Sequence, residues 1–158
     1  MSAPLFRPAT EDDVAAIVAL LADDGLGRGR ENPSLPLDRR YLDAFAALDS
    51  DPNQLLVVAE RDGAVTGCLQ LTFIPGLSRL GMWRGQIEAV RVAASERGTG
   101  LGGAMVEWAI ARCRERGCGL VQLTTDKTRA NAHRFYERLG FVASHEGMKL
   151  SLAPPPAG

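Results

Sequence analysis

Four glycines fall within six positions in the stretch RGTGLGG, residues 97–103, and lead directly into an apolar, helix-like segment. The N-terminus of a helix presents about four unpaired backbone N–H groups and the positive end of the helix dipole, so it attracts anions. Glycines carry no Cβ, which lets a phosphate group come within hydrogen-bond distance of the main chain. Arg97 adds a positive charge in front of the loop. The pattern predicts an anion site, and a loop that only turns tightly or packs closely on a sheet is the structural alternative.

The same glycines allow a dinucleotide-binding interpretation, which would make the chain an NAD-dependent protein. Gly98, Gly100 and Gly103 satisfy G-x-G-x-x-G, and Asp126 follows about twenty residues later. In that motif the strand runs directly into the first glycine, whereas here the segment AASER separates Val92 from Gly98. The chain that remains after the loop is also too short for a doubly wound nucleotide fold, so this interpretation is disfavoured.

The elements that must position the loop follow from the periodicity of the apolar residues and from turn signals, of which Asp62-Gly63 is the clearest. The order β-α-α-β-β-β-α-β-α-β-β predicts an α/β (α+β) fold with a mixed sheet. We expect one domain over residues 1–152 and a disordered tail over 153–158. The expected elements are a short strand from Leu5, helices over 11–24 and 37–51, a hairpin over 54–74, a strand over 85–92, a helix over 100–116, a strand over 120–125, a helix over 128–140 and a strand pair over 141–152.

Composition limits the function classes. Eighteen basic and nineteen acidic residues give a formal net charge of -1, so no nucleic-acid partner is expected. No run approaches the roughly 18 apolar residues that span a bilayer, and the N-terminal stretch lacks the apolar region of a signal peptide, so we expect a cytoplasmic protein with no membrane partner. Cys68, Cys113 and Cys118 form no metal-like spacing and are interpreted as reduced thiols, mostly in the core.

Two separated motifs give the chain a resemblance to a known family. Residues 97–102 read Arg-x-x-Gly-x-Gly, and residues 131–141 read NAHRFYERLGF. Both resemble the coenzyme A-binding segments of GNAT-superfamily N-acetyltransferases, and the resemblance extends from about Leu5 to Leu150. It departs at Ala94, where relatives often carry proline. The resemblance implies a GNAT-like acyl-CoA N-acyltransferase fold, in which a central mixed sheet has splayed fourth and fifth strands and about four flanking helices.

The resemblance also implies how acetyl-coenzyme A would be held, without a metal. The backbone of Val90, Arg91 and Val92 would pair with the pantetheine arm, and the N–H of Val92 would face the thioester carbonyl. Asn131 would contact the cofactor further along. The N–H groups of the loop would hold the pyrophosphate, and they belong to Arg97, Gly98, Thr99, Gly100, Leu101, Gly102 and Gly103.

Tyr136 is the candidate general acid that the resemblance implies. An amine that attacks the thioester expels a thiolate whose conjugate acid has a pKa near about 8.5, and a tyrosine with a pKa near about 10 is neutral at pH 7 and can donate a proton to it. The alternative is a packing role, because Phe135 and Leu139 are neighbours of this helix face.

Glu88 is the candidate base, because the resemblance implies that a glutamate at this position can deprotonate the incoming amine. Strand alternation places Glu88 with Val90 and Val92 on one face, where a carboxylate among apolar side chains calls for a reason. A carboxylate with a pKa near about 4.3 is a poor direct base for an ammonium near about 10.4, so it would act through water or with a raised pKa. Electrostatic binding of a cationic substrate and a solvated position at the strand edge are the alternatives.

The chain is therefore expected to be an acyltransferase that moves an acetyl group from acetyl-coenzyme A to a primary amine of a small molecule or peptide. Two alternatives stay open, a non-catalytic acyl-CoA-binding module and the NAD-dependent protein. The acceptor pocket should come from the loop at 25–36, with Arg28 and Arg30, and from residues 77–84. Neither identifies the amine, and the resemblance leaves a homodimer and a monomer both open.

Overall fold

The computed structural model describes residues 2–153, which form two compact units, one ending at Leu123 and one beginning at Thr124. Among these residues, no helix is both long and apolar enough to cross a membrane. The tail predicted over 153–158 lies outside the described residues except for Ala153. One domain over 1–152 stays a prediction.

A five-stranded mixed sheet forms the centre of the first unit. Its strands run in the order of the chain, and β1 to β4 pair antiparallel while β4 and β5 pair parallel. The strands are β1 (Leu5–Pro8), β2 (Gln54–Arg61), β3 (Ala64–Ile74), β4 (Arg84–Val92) and β5 (Leu120–Gln122).

The last two strands diverge. Only Arg84 to Gln86 of β4 pair with β5, opposite Leu120 to Gln122. From Ile87 to Val92 this edge of β4 has no strand partner among residues 2–153. The fold is therefore the predicted mixed sheet with splayed fourth and fifth strands.

The predicted hairpin is confirmed. Asp62 and Gly63 form a two-residue turn between the paired residues Arg61 and Ala64, with φ of 53° and 81°. Positive φ at both central residues is the geometry that Asp-Gly favours, because its twist matches that of the strands.

Helices cover both faces of the sheet. The first unit contains α1 (Val14–Ala22), α2 (Arg39–Ser50), α3 (Ser78–Gly81), which is a single turn, and α4 (Leu101–Glu115). Cys68 belongs to the core that α1 and α2 form on one face. A Cβ on its neighbour Gly67 would lie only 2.7 Å from the Met105 sulfur of α4. Since successive strand residues point to opposite faces, α4 packs on the other face.

An ion pair fixes the start of the first helix. Asp13, which is 8% exposed, accepts hydrogen bonds from the Arg7 guanidinium at 2.7 and 3.0 Å and from the Thr10 N–H at 2.8 Å. The hydrogen bond from Arg7 is the main reason that the pKa of Asp13 falls from 3.8 to about 2. Arg7 also donates to Glu60 of β2, so β1, β2 and the helix start are held together.

The second unit contains α5 (Ala130–Arg138). The strand pair predicted over 141–152 is wrong, because the described residues after β5 contain no strand. An extended segment becomes a strand only where a neighbour supplies ladder hydrogen bonds, and this segment has no such partner within its unit. Four of its apolar side chains are exposed, namely Val142 (80%), Met148 (95%), Leu150 (86%) and Leu152 (91%).

Candidate functional site

The glycine loop leads into α4 through two residues with left-handed backbone. Gly98 has φ 79° and Gly100, the residue before the helix, has φ 85°. Residues 97–100 are exposed. The N–H groups of five residues at this end have no acceptor within residues 2–153, and they are Gly98, Gly100, Leu101, Gly102 and Gly103. Unpaired donors, the positive end of a 15-residue helix and exposure together fit an anion.

Two of the loop N–H groups are already engaged. The N–H of Arg97 donates to Ala94 at 3.3 Å, and that of Thr99 donates to the Glu96 carbonyl at 3.2 Å. The Arg97 bond, together with the bond from the Glu96 N–H to the Ala93 carbonyl at 2.9 Å, forms the 3₁₀ turn Ala94–Glu96 between β4 and the loop. Five of the seven predicted backbone donors therefore have no acceptor within residues 2–153, and these five are called the open N–H groups below.

A bulge in β4 changes the predicted arrangement of its side chains. Glu88 lies opposite Gln70 and Arg91 lies opposite Cys68, so Ala89 and Val90 together oppose a single residue of β3. Ala89 has φ 55°, a left-handed conformation that is uncommon outside glycine. The bulge shifts the alternation by one residue.

The prediction that Glu88 shares a face with Val92 is therefore wrong. Cross-strand partners lie on one face, so Glu88 shares its face with Arg91, and Val92 shares the α4 face with Gly67. Glu88 is exposed, and its carboxylate lies 3.5 Å from the Gln86 amide nitrogen, which leaves it accessible to water and to a substrate. The Gln122 side-chain amide of β5 donates to the Gln86 side-chain oxygen of β4 at 3.0 Å. Gln86 therefore links Glu88 to β5 through polar side chains.

Arg91 connects β4 to the loop that was predicted to bind the acceptor. Its Nε lies 2.8 Å from the Asp24 carboxylate, and its Nη1 donates to the Val90 carbonyl at 2.9 Å. The same carboxylate accepts from the N–H groups of Leu26 and Gly27, at 2.9 and 2.5 Å. Asp24 therefore links the start of this loop to β4, the strand with the open edge.

The loop itself presents positive charge. Arg28 lies in a 3₁₀ turn, Gly27–Gly29, and its guanidinium has no ion-pair partner within the described part of the chain. Arg30 has a distant contact with Glu31, at 3.6 Å, and its side chain is 56% exposed. Two accessible guanidinium groups could bind an anionic group of a substrate.

The remaining predicted site residues belong to the second unit. Tyr136 makes edge-to-face ring contacts with Phe135 and Phe141, at 4.9 and 5.8 Å between centroids, and its roles as general acid and as packing residue both stay predictions. Asn131 is exposed and accepts a hydrogen bond from Arg134. His133, on the same helix, is half-buried. Glu88, Val90 to Val92 and the glycine loop lie in the first unit.

Arg61 and Glu96 were not predicted as site residues. Their side chains form an ion pair beneath the glycine loop, at 2.8 Å between Nε and Oε1. The two positions are separated by 35 residues, and nothing in either local sequence indicates the pairing. The Gln86 and Gln122 contact was missed for the same reason.

Comparison with known proteins agrees with this geometry. The model of the acetyltransferase (GNAT) family matches residues 16–141. The aminoalkylphosphonate N-acetyltransferase of Salmonella typhimurium is 34% identical over 140 residues, which cover 88% of this chain and 85% of that protein. The glucosamine 6-phosphate N-acetyltransferase of Trypanosoma brucei brucei is 37% identical over 90 residues, 57% of this chain and 59% of that one.

A solved structure is also similar over nearly the whole chain. It is the crystal structure of a transcriptional regulator from Bacillus halodurans C-125, 49% identical, with a TM-score of 0.93 over 95% of this chain and 100% of that one. The family match covers most of the chain, and the fold has the mixed sheet and splayed strands that the resemblance implied. The chain belongs to the acetyltransferase (GNAT) family, whose members use acetyl-coenzyme A.

Proposed function

We propose that the protein is an N-acetyltransferase that moves an acetyl group from acetyl-coenzyme A to a primary amine on a small molecule that also carries a phosphonate or phosphate group. The use of acetyl-coenzyme A as the acetyl donor is inferred from one observation. Five open N–H groups lie at the start of α4, and they follow in sequence a strand with an open edge. A pyrophosphate would bind these donors, and Arg97 would add positive charge.

The open edge of β4 suits the pantetheine arm. A bulged strand with unpaired backbone groups can accept an extended, amide-containing chain as if it were another strand. Val90, Arg91 and Val92 would supply these groups. Because Arg91 already donates to the Val90 carbonyl, that oxygen has one lone pair left for the arm.

Bound acetyl-coenzyme A supplies the acetyl group as a thioester, whose C–S bond breaks as the C–N bond to the amine forms. The Val92 N–H would donate a hydrogen bond to the carbonyl oxygen as negative charge develops there. Tyr136 would give its proton to the departing sulfur. Glu88 would attract the substrate ammonium and receive its proton through water, for which its exposure leaves room. Asn131 would contact the cofactor beyond the pyrophosphate.

The class of acceptor amine is inferred from the charged side chains near the proposed site and from the substrates of the relatives. The two relatives named above act on an aminoalkylphosphonate and on glucosamine 6-phosphate, according to their names. Both substrates combine an amine with a phosphorus oxyanion. In this chain Arg28 and Arg30 would bind the oxyanion, while Glu88 would bind the ammonium.

The first test is a thermal-shift titration with acetyl-coenzyme A, coenzyme A and NAD in parallel. A ligand present at about 100 times its dissociation constant adds about 2.7 kcal/mol of stability, which moves the midpoint by several degrees. Stabilisation by the coenzyme A compounds alone is the expected result, and stabilisation by NAD alone would overturn the proposal.

The second test measures thiol release with 2-aminoethylphosphonate, glucosamine 6-phosphate, glucosamine and ethylamine. We expect turnover with the first two amines to exceed turnover with glucosamine and ethylamine, which lack the phosphorus oxyanion. Replacing Arg28 and Arg30 by glutamine should reduce that preference. Cofactor binding without thiol release from any amine would instead support a non-catalytic binding module.

A further inference from the structure

The glycine loop rests on a buried ion pair that lies outside the predicted site. Glu96 is 5% exposed and ends the 3₁₀ turn before the loop. Its Oε1 accepts from Arg61 Nε at 2.8 Å, and its Oε2 lies 3.4 Å from Arg61 Nη2. Arg61 ends β2, and its side chain is only 12% exposed. A carboxylate this deeply buried is tolerated only when it is paired and hydrogen-bonded.

Thr99 joins this ion pair to the loop. Its hydroxyl lies 2.7 Å from the Glu96 carbonyl and 3.0 Å from the Glu96 carboxylate, and having one proton it donates to one of them at a time. Its N–H donates to the same carbonyl at 3.2 Å. Thr99 stands between Gly98 and Gly100, the two residues of the loop with left-handed backbone. The hydrogen bonds of Thr99 to Glu96 therefore restrict the conformation of a loop whose glycines would otherwise allow many backbone conformations.

Charge gives the pair a second role. Glu96 lies two residues before the first open N–H group, so an unpaired carboxylate there would repel a pyrophosphate and cancel part of the positive potential at the start of α4. The Arg61 guanidinium neutralises it inside the protein, where charges are weakly screened. Without Arg61, the loop would lose both its anchor and the compensation of its nearest negative charge.

We infer that Arg61 and Glu96 act as positioning residues for the cofactor, holding the loop through Thr99 in the conformation that binds pyrophosphate. The inference rests on the proposed use of acetyl-coenzyme A. It predicts an effect on pyrophosphate binding in particular, beyond any effect on folding.

The test compares Arg61→Met, Thr99→Val and the double variant Arg61→Met/Glu96→Gln. Coenzyme A affinity is measured by calorimetry, and turnover is measured with acetyl-coenzyme A and with S-acetylpantetheine, which lacks the pyrophosphate. Arg61→Met should weaken coenzyme A binding by roughly tenfold to a hundredfold, the usual effect of losing a hydrogen bond to a charged group. Thr99→Val should weaken it less, since the charges remain. In both variants, turnover with S-acetylpantetheine should fall less than turnover with acetyl-coenzyme A.

Rescue separates the charge effect from simple damage. Glu96→Gln removes the unpaired carboxylate that Arg61→Met leaves, so the double variant should bind coenzyme A more tightly than Arg61→Met alone. Asp13→Asn is the matched control, because it breaks a similarly buried ion pair, with Arg7, away from the loop. It should lower thermal stability and leave the affinity for coenzyme A unchanged.

The outcomes separate the two claims. Coenzyme A affinity that stays unchanged in Arg61→Met and Thr99→Val would overturn the positioning role. An equal loss of turnover with acetyl-coenzyme A and with S-acetylpantetheine would also overturn it. In both cases the proposed function would stand if the wild-type protein binds coenzyme A. A wild-type protein that binds no coenzyme A would overturn the proposed function and this role with it. Thr99→Val keeps the ion pair and nearly the same volume, so it decides the question even if removal of Arg61 prevents folding.

Discussion

Replacing Gly100 by alanine distinguishes an anion-binding loop from one that only turns. Gly100 has φ 85°, and Gly63, in the turn between β2 and β3, has φ 81°. At both positions an added Cβ would meet no atom within 4 Å. The two substitutions add the same methyl group to the same kind of left-handed backbone, so Gly63→Ala is a matched control.

The magnitude follows from that backbone. A non-glycine residue loses about 1–2 kcal/mol in the left-handed region, and both variants should unfold with a free energy lower by that amount. For a chain of this size each kcal/mol lowers the melting midpoint by about 2–4 °C. Only Gly100→Ala places a methyl group among the open N–H groups at the start of α4. We expect it to bind coenzyme A roughly tenfold more weakly, the loss of one charge-assisted hydrogen bond.

Two measurements decide the matter, thermal unfolding without ligand and calorimetric titration with coenzyme A. The expected pattern is a similar loss of stability in both variants and a loss of affinity in Gly100→Ala alone. Wild-type affinity in Gly100→Ala would refute the anion site at this position. An equal loss of affinity in Gly63→Ala would show that binding merely follows stability.

Three further predictions concern catalysis and the core. Tyr136→Phe should lower the rate of thiol release by about 10²-fold or more while leaving coenzyme A affinity unchanged, as loss of a general acid does; unchanged turnover would exclude the acid role. Asp13→Asn should lower the free energy of unfolding at pH 7 by roughly 2 kcal/mol, because Arg7 lowers the folded-state pKa of Asp13 from 3.8 to about 2. That stabilisation is present above the unfolded pKa and is lost as the pH falls through about 2, so denaturation curves of the two proteins should converge between about pH 4 and pH 2, and a constant difference would contradict the assignment. Gly85→Ala should destabilise the protein by about 1–3 kcal/mol, because the added Cβ would lie 2.2 Å from the Cys113 sulfur. Cys113→Ala in that background should restore part of the loss in urea denaturation, and no restoration would place the strain elsewhere.

Local patterns determined much of the fold. The Asp62-Gly63 turn, the helices before it and the helix after the glycine loop were all predictable, because turn residues and apolar spacing act over a few neighbouring positions. Residues 97–103 and 131–141 also carried the family resemblance, which the match over residues 16–141 confirms. Their roles toward a cofactor stay predictions.

The strand pair over 141–152 shows where local pattern fails. Its apolar residues alternate as in a half-buried strand, yet none of them is in a strand and four are at least 80% exposed. Alternating apolar residues show that a segment is suited to be a strand. Whether it forms one depends on a neighbouring strand, which only the tertiary structure supplies.

The site divides in the same way. The sequence alone determined that a glycine loop with a leading arginine precedes a helix, because helix ends and glycine backbone are local properties. Only the tertiary structure decided which face Glu88 occupies, since the bulge at Ala89 depends on the register with β3. It also brought Arg61 beneath the loop, 35 residues from Glu96. Pairing of this kind depends on how strands and loops close in space, and no short-range pattern records it.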